Sequence, residues 1–177
     1  MSSIKKSSIT AVCIALCYIL PLAFHATGLG MALSPIHLPV LLCGLICGPL
    51  YGAFCGIAGP VLSSVLSGMP PAIGLVSMIP ELITYAVVCG LLMKHLPFKN
   101  IFARLYVSLV PAMIAGRVMG ILAKILFYFS GLSGEATLSI AKIASAYFVA
   151  TLPGAAAQLV ILPLLIFTLQ KAKLIKV

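Results

Sequence analysis

The residues of this sequence that could bind a polar ligand are the few charged and polar side chains within or beside its apolar segments. The strongest candidates are Glu81, Arg117, Lys124, Lys142, His37 and Tyr85. A charge at the centre of a lipid bilayer costs at least about 2.5–3.5 kcal/mol, so such a residue usually faces protein or a water-filled cavity and marks a functional position. Because cations outnumber carboxylates in this set, the pattern favours a small anionic ligand.

Arg117 and Lys124 lie in the middle and the outer half of one apolar segment. They are two helical turns apart, so both side chains share a helix face, about 10 Å apart along the axis. Glu81 lies at a similar depth in the preceding segment, and two interpretations stay open: a structural ion pair with Arg117, or a ligand contact. In either case we expect Glu81 not to compensate Lys124 and Lys142, although Lys142 could extend its amine to the headgroups. We therefore expect a cavity that opens to the outside and carries a positive bias.

His37 and Tyr85 are weaker candidates. His37 stands between Pro35 and Pro39 at the outer end of an apolar segment, where it is either a polar cap or a ligand contact. Tyr85 follows Glu81 by one helical turn, so its hydroxyl could reach the same site, although the spacing favours a packing role.

Apolar segments that could cross a membrane must position these residues. The chain has 177 residues, of which 63% are hydrophobic and 7% are charged, far below the quarter that is typical of soluble domains. This composition predicts one membrane domain over residues 1–177, an all-α bundle of six spans with short second and third helices. The predicted spans cover approximately 8–27, 36–48, 50–67, 72–93, 105–129 and 138–169. A break at Gly48-Pro49 separates the second from the third, and a re-entrant pair over 36–67 stays an alternative.

The placement of cations predicts the orientation of the bundle. Eight of the eleven Lys and Arg residues lie in the short segments near 5–6, 94–104 and 171–176, whereas the loops near 28–35, 68–71 and 130–137 contain none. Cationic residues near span ends stay on the cytoplasmic side. Six spans put all three basic segments on that side, so we expect both termini inside.

Several classes of function lack their sequence signals. The net charge of +9 lies in short segments between apolar runs, which does not indicate nucleic-acid binding. The chain has no GxxxxGK[ST] phosphate loop, no HExxH or GxSxG motif, and no CxxC pair among its six cysteines. We expect no enzyme activity, metal or bound cofactor, and any ATP-driven function would need another subunit.

The small residues Ser7, Ala11 and Ala15 are spaced by four along the first span. The stretches ALSPIHLPVLLCG, GPLYG, GMPP and PEL occupy residues 32–44, 48–52, 68–71 and 80–82. With these features, the arrangement resembles the substrate-binding S components of energy-coupling factor (ECF) vitamin transporters, and the likeness covers essentially the whole chain.

The resemblance implies a subunit of a prokaryotic plasma membrane that captures a vitamin or precursor in the outer half of its bundle, beneath the loops near 28–35 and 68–71. It implies that Ser7, Ala11 and Ala15 dock to a transmembrane coupling subunit, and that two partner ATPases use the ATP. The cations favour an anion such as pantothenate, while folate, nicotinate, biotin and a pyridoxine-like compound stay open. A self-sufficient channel or carrier, or a small membrane enzyme, is the alternative.

Overall fold

The computed structural model describes residues 1–25, 34–98, 100–131 and 139–172 of the chain. These residues form helices and connecting turns, and no strand occurs among them. The helices are α1 (Ser3–His25), α2 (His37–Cys47), α3 (Pro49–Ser67), α4 (Ala72–His95), α5 (Ile101–Phe129), α6 (Ile140–Phe148) and α7 (Leu152–Lys171). The predicted all-α architecture is confirmed for this part of the chain.

Five segments are long and apolar enough to cross a membrane: Ser3–Phe24, the helices α3, α4 and α5, and the stretch Ile140–Lys171. The chain is therefore a multi-pass membrane protein. Helix α2 has 11 residues and covers about 16 Å, half of a bilayer core. The sequence predicts that both the second and the third helix are short, but only α2 is. Helix α3 has 19 residues and continues through Pro60. The orientation with both termini inside stays a prediction.

Gly48 reverses the chain between α2 and α3. Its φ of 94° lies in the region that favours glycine. Pro49 then begins α3, and proline is tolerated there because the first N–H groups of a helix have no acceptor within the helix. A Cβ atom added at Gly52 would lie 2.7 Å from the Cα atom of Gly44. Two glycines at equal distances from the turn therefore touch, and α2 and α3 form a tight helical hairpin.

Helix α4 is the centre of the bundle, since it packs against α2, α3 and α5, while α1 covers α2 and α3. Helix α6 packs against α5, and α7 contacts both α5 and α2. Small side chains allow this close packing, and all six cysteines are free and buried in it.

Three boundaries differ from the predicted ones. Helix α1 begins at Ser3, ahead of the expected residue 8. Helix α5 begins at Ile101 rather than 105, because the side chain of Asn100 accepts a hydrogen bond from the backbone N–H of Phe102 and caps the helix. The stretch expected as one span over 138–169 is two helices, and the break falls just before Pro153, whose ring would clash with the preceding turn.

Candidate ligand-binding site

A cavity of about 730 Å³ lies between the first turns of α2, α4 and α7, the end of α6 and the middle of α5. This volume is typical of sites that enclose a small molecule. Most of the wall is apolar and comes from prolines, methionines and the side chain of Ile36. The polar side chains that face it include those of His37, Ser77, Glu81, Tyr85, Arg117, Tyr147 and Gln158.

Glu81 is the carboxylate of this cavity, and its side chain is only 8% exposed. Its Oε1 atom lies 3.1 Å from the hydroxyl of Tyr85, which donates to it, and 3.4 Å from Nε2 of His37. Tyr85 follows by four residues on α4 and therefore shares the helix face of Glu81. The rings of His37 and Tyr85 meet edge to face with centroids 5.3 Å apart. One carboxylate oxygen thus holds together the start of α2 and the middle of α4.

Arg117 faces the same cavity from α5 without pairing with this carboxylate. Its guanidinium carbon lies 5.7 Å from the centroid of the Phe148 ring, at the end of α6. Within residues 1–25, 34–98, 100–131 and 139–172, the basic side chain within 4 Å of the Glu81 carboxylate is that of His37, and no ion pair joins Glu81 to Arg117. The described residues therefore contain no direct Glu81–Arg117 ion pair, and Arg117 also lies near the side chain of Tyr85.

Two glycines of α5 make room for the aromatic rings of the site. A Cβ atom added at Gly116 would lie 2.7 Å from the Tyr85 ring, and one added at Gly120 would lie 2.6 Å from the Tyr147 ring. Their spacing of four residues predicts close helix packing. In the structure, both glycines pack against aromatic side chains of the cavity wall.

Lys124 and Lys142 do not line the cavity, although both are site candidates from the sequence. Lys124 is half-buried on α5 and Lys142 is exposed on α6. The face shared by Lys124 and Arg117 runs along the helix, and two turns carry Lys124 about 10 Å beyond the guanidinium. Among the described lining residues, one carboxylate therefore faces one guanidinium, and the expected positive bias is not found.

Gln158 and Tyr147 are wall residues that the sequence analysis misses. Gln158 is 5% exposed, and its Nε2 atom donates to the backbone oxygen of Ser34 at 3.5 Å, which ties α7 to the chain that enters α2. Gln158 is a polar residue inside an apolar segment, which is the sequence signal that identified Glu81. The same signal could therefore have identified Gln158 as a candidate site residue. Tyr147 carries no such signal, because tyrosine is common at membrane interfaces.

The small-residue strip of α1 lies on the outside of the bundle. Ser7, Ala11 and Ala15 are exposed, whereas Cys13 and Cys17 on the opposite side of the helix are buried. The strip is therefore accessible to another helix. The loop near 28–35, expected to cover a ligand, falls largely outside the described residues, while Met69, Pro70 and Pro71 of the second expected loop do line the cavity.

No three His, Cys, Asp or Glu side chains are grouped so as to hold a metal ion in the described part of the chain. Neither a curated protein nor a solved structure matches the chain. A family model does match: residues 5–175 fit the family described as ECF transporter, substrate-specific component.

Proposed function

The chain belongs to the substrate-specific components of ECF transporters, and on that premise we propose that its cavity captures a small anionic vitamin or vitamin precursor, with pantothenate as the leading candidate. Members of this family are substrate-binding subunits of transporters rather than enzymes. The family also implies a small-molecule substrate and a partner module that contains a coupling subunit and ATPases. We place the protein in a prokaryotic plasma membrane, where such uptake takes place.

The observation that carries this proposal is the pair of opposite charges that face one cavity without touching. Glu81 accepts a hydrogen bond from Tyr85 and lies 3.4 Å from Nε2 of His37. Arg117 lies over the ring of Phe148 and near the side chain of Tyr85, and it forms no ion pair with Glu81 in the described chain. An intramembrane charge is expensive unless it has a partner. A ligand that lies between the two side chains would supply what each lacks.

Arg117 is the residue that we assign to the acid group of the ligand. A guanidinium stays charged at any physiological pH and presents a planar fork of donors that matches a carboxylate. Pantothenate has a carboxylate at one end and is small enough for a cavity of about 730 Å³. Folate, nicotinate and biotin share the carboxylate, whereas a pyridoxine-like compound would leave Arg117 without an anion.

The strip Ser7, Ala11 and Ala15 is our proposed docking surface for the coupling subunit. Small residues spaced by four let two helix backbones approach closely in lipid, and all three are exposed. Two ATPases bound beneath the coupling subunit would then use ATP, for which this sequence has no phosphate loop of its own.

Binding and uptake can be tested separately. We expect purified protein in lipid nanodiscs to bind labelled pantothenate, and we expect the complete complex to import it into proteoliposomes when ATP is supplied. Ala11→Leu should abolish import and copurification of the coupling subunit while leaving binding unchanged, because the change lies on the outer surface of α1. Val12→Leu, at an exposed neighbouring position, is the matched control and should import normally. Normal import by Ala11→Leu would contradict the docking role.

A further inference from the structure

We infer that the ligand must donate a hydrogen bond to Glu81 in addition to presenting an acid group to Arg117, so that the site selects hydroxy, amide or ureido acids over simple acids. This inference rests on the proposed function and deepens it. It assigns the two charged side chains to different ends of one molecule.

The first support is the unequal use of the two oxygens of Glu81. Oε1 accepts from Tyr85 and lies within reach of Nε2 of His37, whereas none of the residues that the structure describes donates to Oε2. An ionised carboxylate has about four acceptor sites, and its burial is costly unless donors replace the lost water. A side chain that is 8% exposed and lines the cavity can obtain the missing donor from the ligand.

The second support is the close approach of α5 on the protein side of Oε2. The neighbouring residue of α5 is Gly120, and a Cβ atom added there would lie 3.1 Å from Oε2 and 2.6 Å from the Tyr147 ring. The backbone of α5 therefore packs against this side of the carboxylate, and a donor must approach Oε2 from the cavity that Glu81 lines. Any larger residue would press on both groups that form this end of the wall.

The third support is the apolar character of most of the remaining wall. Pro70, Pro71, Met78 and Ile36 offer no strong donor to Glu81. The polar side chains of Ser77, Tyr147 and Gln158 also face the cavity, but within the described chain the carboxylate is bonded by Tyr85 and His37 instead. Few polar groups in an otherwise apolar cavity fix the orientation and identity of a ligand. A simple acid would satisfy Arg117 but leave a buried acceptor unpaired, and this penalty discriminates strongly against a ligand that lacks the hydroxyl or N–H.

A panel of vitamins decides the matter with the intact protein in lipid nanodiscs, each compound measured by equilibrium dialysis. Pantothenate, biotin and folate have both an acid and a donor, nicotinate and lipoate have the acid alone, and pyridoxine has donors without an acid. We expect the tightest ligand to come from the first group, by about tenfold or more over the acid-only compounds, as one hydrogen bond to a charged group provides.

Two variants then assign the donor to Glu81. Glu81→Gln keeps the shape of the side chain but removes its charge, and it should weaken the best ligand of the first group by about tenfold or more while leaving the weak binding of nicotinate and lipoate unchanged. Lys142→Gln removes a charge outside the cavity and should change neither. If Glu81→Gln does not fold, the panel on the unaltered protein still decides.

The outcomes separate the two proposals. Tightest binding of nicotinate or lipoate would overturn the donor requirement and leave the capture of an anion intact. Tightest binding of pyridoxine would overturn the assignment of an acid to Arg117. Binding of none of the six would overturn vitamin capture and the inference together.

Discussion

Helices α2 and α6 are both short and each supplies an aromatic ring to the cavity, but they are held very differently. Every residue of α2 from Pro39 to Cys47 is buried, and the helix contacts α1, α3, α4 and α7. Of the nine residues of α6 only Ile143 is buried, and the helix packs against α5. The comparison indicates that His37 lies on a wall fixed by four neighbouring helices, whereas Tyr147 lies on a helix that is held mainly by α5, with a side-chain contact to Ser77 of α4.

This difference separates stability from recognition. Close packing on all sides makes α2 intolerant of added volume, so we expect substitutions in α2 to reduce the amount of folded protein. Substitutions in α6 leave that packing intact, so we expect them to reduce ligand affinity or to alter access to the cavity. Four predictions test this contrast.

The largest effect is expected from Gly44→Val in α2. A Cβ atom at this position would lie 2.7 Å from the backbone oxygen of Ala86, so α2 and α4 must separate. Overpacking of this kind costs up to about 3 kcal/mol, and we expect much less folded protein and a lower midpoint of thermal unfolding. Ala141→Val, at an exposed position of α6, is the control and should change stability by less than about 0.5 kcal/mol. Equal unfolding midpoints for the two variants would refute the contrast.

Arg117→Gln should reduce affinity without a matching loss of stability. The guanidinium is half-buried and forms no ion pair with Glu81, so we expect the loss of stability to be smaller than the loss of binding. The loss of a charged hydrogen bond is expected to weaken the binding of an anionic ligand by about 10- to 150-fold. Equilibrium dialysis and thermal unfolding measure the two quantities, and Lys124→Gln, on the same helix but outside the cavity wall, is the control. Equal losses of affinity in both variants would restore Lys124 as a site residue.

Phe148→Ala tests whether the α6 wall contributes to recognition. Its ring lies 5.7 Å from the guanidinium carbon of Arg117, a contact worth about 0.5–1 kcal/mol at exposed sites. We therefore expect affinity for the anionic ligand to fall by about two- to fivefold, with unfolding unchanged. Val149→Ala, at the exposed neighbouring position, should have no effect on affinity. A similar loss of affinity in Val149→Ala would mean that the Phe148 ring has no specific role and that only the position of the α6 backbone matters.

The smallest effect is a change in chemical access. All six native cysteines are free and buried, so a maleimide should label the unaltered protein slowly. Ala146→Cys places a thiol on the cavity wall and should label faster, with labelling slowed by saturating pantothenate. Ala141→Cys, away from the wall, reports labelling that the ligand does not affect. Protection of both positions would mean that α6 moves as a unit when ligand binds.

Much of the fold could be predicted because hydropathy and helix breakers act locally. Gly48-Pro49 separates α2 from α3 as predicted, since a positive φ and a missing N–H end a helix wherever they occur. The boundary of α5 was missed because one capping side chain, Asn100, extends the helix by four residues. The break before Pro153 was missed because proline elsewhere in this chain, as at Pro60, lies within a continuous helix.

The candidate site could be predicted in part. Glu81, Arg117, His37 and Tyr85 face one cavity, as expected of rare polar groups in an apolar chain. Their pairing could not be predicted, because the partner of Glu81 depends on which way α2 and α5 are rotated about their axes. Successive side chains of a helix point about 100° apart around its axis. A small rotation of α2 or α5 about its axis would therefore change whether His37 or Arg117 lies beside Glu81.

By itself, the sequence determined that this is a bundle of apolar helices with a few costly charges, since the bilayer selects segments by length and polarity along the chain. It also determined which side chains must avoid lipid. Only the tertiary structure decided that Glu81 contacts His37 and Tyr85, that Arg117 forms no ion pair with Glu81, and that Lys124 and Lys142 lie outside the cavity wall. These outcomes depend on contacts between helices distant in sequence, where a glycine such as Gly120 sets how closely two backbones approach.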